Sequence, residues 1–297
     1  MSVVEIEPTR YGLPGGRMAA ASIGEWGRVA AAASWLLGPP AWAVRLAGRT
    51  GQRRLMHSLE RSWARQARRL AGLELSIAGL EHIDPATRYV VAPLHESFFD
   101  VIALLHLPLD LVFVARDELL EWKQLGRHLR ASATPVITPE RPLAAYRTLL
   151  RSAQRVLNGG ENLVVFPQGT ILGVETAFQR GAFVTADRLG HPVLPIVLTG
   201  GHRAWEHPLS PRVRFDQPIR LEVLAPLPVG GADAAMAATE QAMKRLALTS
   251  PVPPRHFVPE RDGWWDGYRY DIDPHFSDLA AAVAEHRSDV LAYRGAR

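Results

Sequence analysis

The chain has 297 residues and a formal net charge of +4, enough for one domain with a full hydrophobic core and a segment at each end. It contains no cysteine, which excludes disulfides, thiolate metal ligands and a cysteine nucleophile and suits a reducing compartment. Residues 45–72 hold eight arginines and a single glutamate, so the positive charge is concentrated in one segment.

The first 22 residues contain several prolines and glycines without any periodic pattern, which predicts a disordered N-terminus over 1–22. The apolar run that follows, 29–44, is shorter than the roughly 20 residues of a spanning helix, and Gly38-Pro39-Pro40 interrupts it. We expect two short helices over 23–47 that lie in one membrane leaflet, because Trp35 and Trp42 suit the interface. The alternative is an ordinary helical hairpin packed on the domain.

Residues 53–71 predict an amphipathic helix, so that 23–72 forms an N-terminal helical unit. Anionic lipid is a better partner for its basic face than nucleic acid, because no pattern of stacking aromatic residues accompanies the arginines. We therefore expect peripheral docking on the cytoplasmic face of the inner membrane. The predicted apolar stripe is Met56, Leu59, Trp63, Ala67 and Leu70, and the opposite face carries Arg54, Arg61, Arg65, Arg68 and Arg69.

Strand and helix patterns alternate over the predicted catalytic domain, residues 73–249. This alternation predicts an α/β fold with a largely parallel mixed sheet covered by helices on both faces. Strands at 212–215 and 219–224 are expected to be antiparallel at an edge, and 250–297 forms an aromatic tail followed by a helix from residue 277. The other predicted strands are 73–78, 88–94, 110–115, 133–138, 162–167 and 193–199, and the predicted helices are 98–107, 117–130, 142–158, 180–189 and 232–248.

His95 and Asp100 are the most informative pair in the sequence. They are five positions apart at a strand-to-helix junction, and residues five apart on a regular helix do not face each other. His95 must therefore lie on the turn before the helix for Asp100 to reach it. Asp100 can then hold one imidazole nitrogen and leave the other as a general base.

A second motif, Phe166-Pro167-Gln168-Gly169-Thr170, ends the strand 162–167. Gly169 permits a close backbone approach, and Thr170 offers a hydroxyl and an N–H to an anionic group. A later strand contains an internal Pro195. The order of these motifs, which together with the histidine–aspartate pair cover roughly residues 75–225, resembles the bacterial 1-acylglycerol-3-phosphate acyltransferases and the wider glycerolipid acyltransferase superfamily.

The resemblance implies that His95 deprotonates a lysolipid hydroxyl, which attacks the thioester of acyl-CoA or acyl carrier protein, while Asp100 orients the histidine. It implies a role in phospholipid biosynthesis with no cofactor and no metal. Two positions depart from the family's pattern. Gln168 replaces its glutamate and can keep a neutral hydrogen-bonding role without charge, and Ile171 replaces its arginine, which weakens the expectation of a phosphate-bearing acceptor. The resemblance therefore leaves Arg141, in the family's second motif, and Arg180 as candidate acceptor-binding residues.

Two alternatives remain from the residues themselves. The departures at Gln168 and Ile171 suit a non-catalytic lipid-binding relative, and His95 with a distant serine would make a serine-type esterase. A zinc peptidase is excluded because Phe99 occupies the second histidine position of the His95-Glu96 motif. The acceptor head group, the acyl-chain length and the donor carrier are not encoded in any motif.

Overall fold

The computed structural model describes residues 19–139, 141–206, 212–264 and 270–295, so most of the segment predicted to be disordered lies outside the described residues. Strands and helices alternate along the central part of the chain, as expected for a helix-covered sheet. The strands of the described part are β1 (Glu74–Ala78), β2 (Val90–Pro93), β3 (Leu111–Phe113), β4 (Ala115–Arg116), β5 (Val136–Ile137), β6 (Asn162–Val164), β7 (Val193–Thr199) and β8 (Pro218–Val223).

Helices precede, connect and follow these strands, and two 3₁₀ turns lie at Leu80–His82 and Asp117–Glu121. The helices of the described residues are α1 (Ile23–Leu37), α2 (Pro39–Arg49), α3 (Arg53–Ala71), α4 (Phe99–Leu104), α5 (Lys123–Ala131), α6 (Pro142–Asn158), α7 (Gly181–Leu189), α8 (Gly201–Ala204), α9 (Ala232–Leu248), α10 (Pro259–Asp262) and α11 (Ser277–Gly295).

Six strands form one sheet in the order β1-β8-β7-β2-β6-β3, and β4 pairs with β5 in a separate parallel ribbon. The strands β7, β2, β6 and β3 are mutually parallel, and every residue of β2 and β7 is buried because helices cover both faces. Val90 packs with α6, α7 and α9 on one face, whereas its neighbour Val91 packs with α4 on the other. The predicted α/β class, with its mostly parallel sheet, is confirmed.

Three strand predictions need correction. The strand predicted over 110–115 is divided, because the chain leaves the main sheet after Val114 and pairs with β5. Residues 212–215 form no strand, only isolated bridges from Arg212 and Val213. The strand β8 is antiparallel to β7, as predicted, but it is interior, because β1 pairs with it and forms the edge. Local patterns specify that a segment is a strand, whereas its neighbours depend on long-range pairing.

The N-terminal unit is a hairpin whose two helices, α1 and α2, meet at Gly38, as predicted. None of the described helices is both long enough and apolar enough to cross a membrane. The predicted stripe on α3 is partly wrong, since Leu70 is exposed while Ala64 and His57 are buried. Eight large apolar side chains on α1–α3 expose between 38% and 91% of their surface outside this buried face, namely Ile23, Trp26, Trp35, Leu37, Trp42, Leu46, Leu55 and Leu70.

His57 joins α3 to the start of β6 through a buried network. Its Nδ1 lies 2.9 Å from Glu60 Oε2, and its Nε2 contacts Glu161, whose carboxylate also accepts a 2.9 Å bond from Arg53 Nε. Burial alone would lower the pKa of His57, but the hydrogen bonds to Glu161 and then Glu60 outweigh burial and raise the pKa to about 9. His57 is therefore a buried imidazolium between two carboxylates at neutral pH.

This network predicts that stability falls with rising pH. The folded-state pKa of His57 is raised, so its contribution is fully present below the unfolded value of 6.5 and is lost as the pH rises through about 9. We expect the loss to reach roughly 3 kcal/mol at most, measured by chemical denaturation across this window. A His57→Gln variant should lack this pH dependence. An equally steep decline in that variant would assign the effect to another group.

Candidate active site

His95 lies on the turn between β2 and α4, where the sequence predicts it. Its Nδ1 is 2.8 Å from Asp100 Oδ2, so Nδ1 carries the proton and Nε2 is left as an acceptor. The imidazole stacks on the Phe166 ring with a centroid distance of 3.8 Å and an interplanar angle of 19°. The two sequence motifs therefore meet in space, because the parallel strands β2 and β6 end at the same edge of the sheet.

The Asp100 carboxylate is completely buried, and backbone donors hold it in place. Oδ2 accepts the N–H groups of Glu96 at 2.6 Å and Ser97 at 2.9 Å in addition to the imidazole. Oδ1 lies against Gly201, where a Cβ atom would be only 2.1 Å away, so a side chain at this first position of α8 would displace the carboxylate. The Ser97 hydroxyl donates to Trp205 O at 2.7 Å and ties the turn to the end of α8.

Gln168 connects the two motifs. Its Oε1 accepts the His95 backbone N–H at 2.8 Å, and its Nε2 donates to Gly173 O at 2.8 Å. One partner is a donor and the other an acceptor, so a neutral amide satisfies both, whereas a carboxylate would face the Gly173 carbonyl without a proton. The side chain is buried and lies outside the cavity described below, so Gln168 positions the loops and does not line the substrate space.

Glu96, the residue after His95, has a buried carboxylate with three donors. Oε2 accepts Gly200 N–H at 2.9 Å and His202 Nδ1 at 3.0 Å, and Oε1 accepts Arg255 N–H at 2.8 Å. Burial raises the pKa of Glu96, and the hydrogen bond to His202 only partly offsets this effect. This role is not evident from the sequence, because Gly200, His202 and Arg255 are more than 100 residues away.

A cavity of about 250 Å³ opens beside His95 and runs along β3. Residues 111–116 all line the cavity. Side chains along a strand point alternately to the two faces of the sheet, so a cavity on one face would contact only every second residue. The cavity therefore lies at the free edge of β3. Helices α3 and α5 close this edge. Most of the wall is apolar, including Leu111, Val112, Phe113, Val114, Leu125, Leu129, Ile137, Val165, Phe166 and Ile171.

The two ends of the cavity differ in chemistry. His95, Gly169 and Thr170 line one end, whereas Arg53 and Glu60 of the buried network line the other. The ends lie beside Phe166 and Glu161, which are separated by five residues of extended chain and hence by roughly 16 Å. The cavity is therefore long and narrow, with the histidine at one end and a charged cluster at the other.

Residues 74–199 match the acyltransferase family. The chain is 29% identical over 170 residues to the 1-acyl-sn-glycerol-3-phosphate acyltransferase alpha of Mus musculus. The aligned region covers 54% of this chain and 60% of the relative. It is 34% identical over 114 residues to the lysophosphatidylcholine acyltransferase 2 of Rattus norvegicus. This aligned region covers 37% of this chain and 20% of the relative.

The chain spans about half the length of the 1-acyl-sn-glycerol-3-phosphate acyltransferases that it matches. Among solved structures, it is similar to the crystal structure of the 1-acyl-sn-glycerophosphate (LPA) acyltransferase PlsC from Thermotoga maritima, with a TM-score of 0.56 and 19% identity. That match covers 66% of this chain and 80% of PlsC, which shows that the two share a fold.

The C-terminal segment lies outside the match to the acyltransferase family, yet its hydrogen bonds help to fix the loops of the site. Arg255 donates its N–H to Glu96, and its carbonyl accepts Val174 N–H at 2.9 Å, so one residue links the His95 turn to the loop after Gln168. Glu175 in the same loop accepts Phe257 N–H at 3.0 Å. The sequence places the tail in a separate segment, and only the structure shows that it packs against the His95 turn and the loop after Gln168.

Several residues predicted to bind substrate lie away from the cavity. Arg141 is exposed at the start of α6, and Arg180 forms a surface ion pair with Asp233 at 2.7 Å. Pro195 is buried inside β7, and Pro167 is buried behind the loop. None of these four lines the cavity. Within the described part of the chain, no group of three His, Asp or Glu side chains could hold a metal ion.

Arg116 is a cation of the cavity wall that is not among the residues predicted from the sequence. It lines the cavity at the end of β4 and pairs with Glu118 at 2.8 Å. Ile171, at the position where the family's arginine is expected, contributes an apolar part of the wall. The position of Arg116, immediately after the strand predicted at 110–115, is the signal that could have found it, because side chains at the ends of parallel strands meet at one edge.

The Gln168 contacts predict that Gln168→Glu weakens the site. A carboxylate would repel Gly173 O, so we expect a loss of about 1–3 kcal/mol in the free energy of unfolding and a fall in kcat of about tenfold. Denaturation and acyl-transfer kinetics measure the two effects. Gln154→Glu makes the same change on the exposed face of α6 and should alter neither. Unchanged or raised turnover of Gln168→Glu would show that the amide does not position His95.

Proposed function

We propose that this protein transfers a fatty acyl chain from a thioester to the hydroxyl of a lysolipid, as an O-acyltransferase of phospholipid biosynthesis. The observation that supports this most directly is the oriented His95–Asp100 pair at one end of a long apolar cavity. The names of the relatives, which specify acyl transfer to 1-acyl-sn-glycerol-3-phosphate, support the same class of reaction.

In the proposed reaction, His95 Nε2 takes the proton of the acceptor hydroxyl as its oxygen attacks the thioester carbonyl carbon. The tetrahedral intermediate collapses, the carbon–sulfur bond breaks, and the proton on Nε2 passes to the leaving thiolate. The products are an ester and a free thiol. Asp100 stabilises the imidazolium that forms during the transfer. A thioester is already activated, so no covalent enzyme intermediate is required.

We assign the cavity to the acyl chain of the donor. Its wall is apolar along the β3 edge, and each buried methylene contributes about 0.8 kcal/mol. Arg116, Gly169 and Thr170 lie at the His95 end, where the acceptor head group would be placed. Gly169 has a φ of 66° and open space around its Cα, which lets a ligand approach the backbone. The Thr170 hydroxyl has no hydrogen-bond partner in the described part of the chain.

The catalytic prediction concerns His95 and Asp100. His95→Ala should lower kcat by about 100- to 10,000-fold, because the general base is lost. Asp100→Asn should also lower it strongly, since an amide can hold the wrong imidazole tautomer. The assay measures free CoA released from acyl-CoA with and without lysophosphatidate. Near wild-type turnover of His95→Ala would contradict the proposed base.

The same assay separates the alternatives. Thiol release without an acceptor would indicate an esterase, and no turnover with any lysolipid or either donor would indicate a lipid-binding relative. A circular dichroism spectrum and a thermal melt of each variant control for folding. His106→Ala is the matched control, because His106 bonds only to Ile102 O, its own helix turn, among the described residues, and lies outside the cavity.

The N-terminal helices support docking on an anionic membrane surface. Their exposed tryptophans and leucines would otherwise remain in water, and exposed arginines lie beside them on α3. Of the predicted lipid-binding arginines, Arg61 pairs with Asp110 and Arg68 Nε donates to Leu73 O at 3.2 Å. The exposed arginines Arg54, Arg65 and Arg69 are therefore the better candidates for lipid contact.

Removing the exposed apolar side chains should weaken membrane binding. We expect Trp42→Ala with Leu46→Ala to reduce sedimentation with anionic phospholipid vesicles at least several-fold, and charge reversal of Arg54, Arg65 and Arg69 to remove most of the salt-sensitive part. Leu143→Ala is the control, because Leu143 is 78% exposed but lies on α6. If the α2 variant bound vesicles as well as the wild type, the hairpin would be ordinary packing.

A further inference from the structure

A row of arginines runs along the exposed face of α6. Arg147, Arg151 and Arg155 are spaced four residues apart, so they lie on one side of the helix over about 12 Å. The α6 segment contains no acidic residue, and within the described chain none of the three forms an ion pair with a carboxylate. Arg188 of α7 extends the row through its bond to Tyr146 at 3.3 Å.

The arginine row lowers the stability of α6. Like charges four residues apart on a helix repel each other, and here no internal carboxylate compensates. The only contact within the row is a 3.3 Å bond from Arg151 Nε to Arg147 O. A pattern that breaks a local rule without internal compensation is the kind that a binding surface produces. The row therefore indicates an anionic partner.

The position of the arginine row differs from that of the surface proposed to bind the membrane. The apolar side of α6 packs on the sheet face that also carries α7 and α9, whereas α4 covers the other face and contacts α3. The exposed tryptophans and leucines proposed to meet the bilayer lie on α1–α3. The arginine row therefore lies on a helix that packs on the sheet face opposite α4, whereas these apolar side chains lie on helices that adjoin α4 and the β3 edge.

The near end of the row lies at the catalytic edge. Pro139 lines the cavity, and α6 begins three residues later. Leu149 of α6 packs against Gly181 at the start of α7, and the preceding Gln179 donates its N–H to Pro167 O at 2.7 Å. A partner seated on α6 is therefore beside the loops that hold the reacting groups.

We propose that the α6 row, Arg147, Arg151 and Arg155, docks an acidic carrier protein that delivers the acyl thioester. The inference rests on the proposed function, since it names the source of the donor. A row of about 12 Å is wider than one phosphate group and matches a row of carboxylates on a partner helix. The carrier approaches from the aqueous side while the acceptor remains in the membrane.

The test compares two donors. Arg147→Glu/Arg151→Glu/Arg155→Glu should lower kcat/KM for palmitoyl-loaded acyl carrier protein by about tenfold or more, mainly through KM, and leave kcat/KM for palmitoyl-CoA within about twofold. The acceptor is lysophosphatidate in detergent micelles, so that membrane docking does not enter. Wild-type turnover with the carrier donor should also fall with added salt, and turnover with palmitoyl-CoA should fall less.

The matched control reverses three exposed arginines on α3 instead of α6. Arg54→Glu/Arg65→Glu/Arg69→Glu should lower vesicle binding and leave the ratio of the two donor activities unchanged. Equal losses with both donors in the α6 variant, or a loss of vesicle binding with an unchanged ratio, would overturn the carrier surface.

Direct binding separates this inference from the proposed function. Fluorescence anisotropy of labelled acyl carrier protein should show binding to the wild type and at least tenfold weaker binding to the α6 variant. If neither donor supports turnover, the proposed function fails, and the binding result still decides the α6 surface. Equal binding to wild type and variant would overturn it.

Discussion

The buried carboxylate of Asp100 constrains the architecture around it, because a buried charge is tolerated only where donors surround it. Three N–H groups converge on Oδ2, and two of them come from the backbone of the turn that carries His95. This convergence bends the chain between β2 and α4 and orients the imidazole. It also requires glycine at position 201, because α8 passes too close to Oδ1 for any side chain.

The surrounding contacts extend this constraint to distant segments. Gln168 ties the backbone of His95 to the loop after β6, and Glu96 ties the next residue to Arg255 in the C-terminal segment. Arg255 is itself buried, with its guanidinium against Glu206 and Asp262. The position of the His95 turn therefore depends on residues beyond the acyltransferase match.

The cavity and the two outer surfaces follow from the same sheet. The strand β3 is an edge, and an edge strand has to be covered or paired. Helices α3 and α5 cover it at a distance that leaves an apolar channel, and the network of His57 and Glu161 closes the far end. The outer helices then carry different chemistry, clusters of exposed apolar side chains with arginines on α1–α3 and a row of arginines on α6.

Much of this organisation was predictable from sequence. The alternating strands and helices, the break at Gly38 and the contact between His95 and Asp100 follow from local rules of periodicity, proline chemistry and helix geometry. Other features depend on pairing between distant segments, which no local pattern encodes. These include the interior position of β8, the division of the strand at Val114 and the placement of Arg180 on the surface. Glu96, Gln168 and Arg255 acquire their roles only when chain folding brings their hydrogen-bonding partners together.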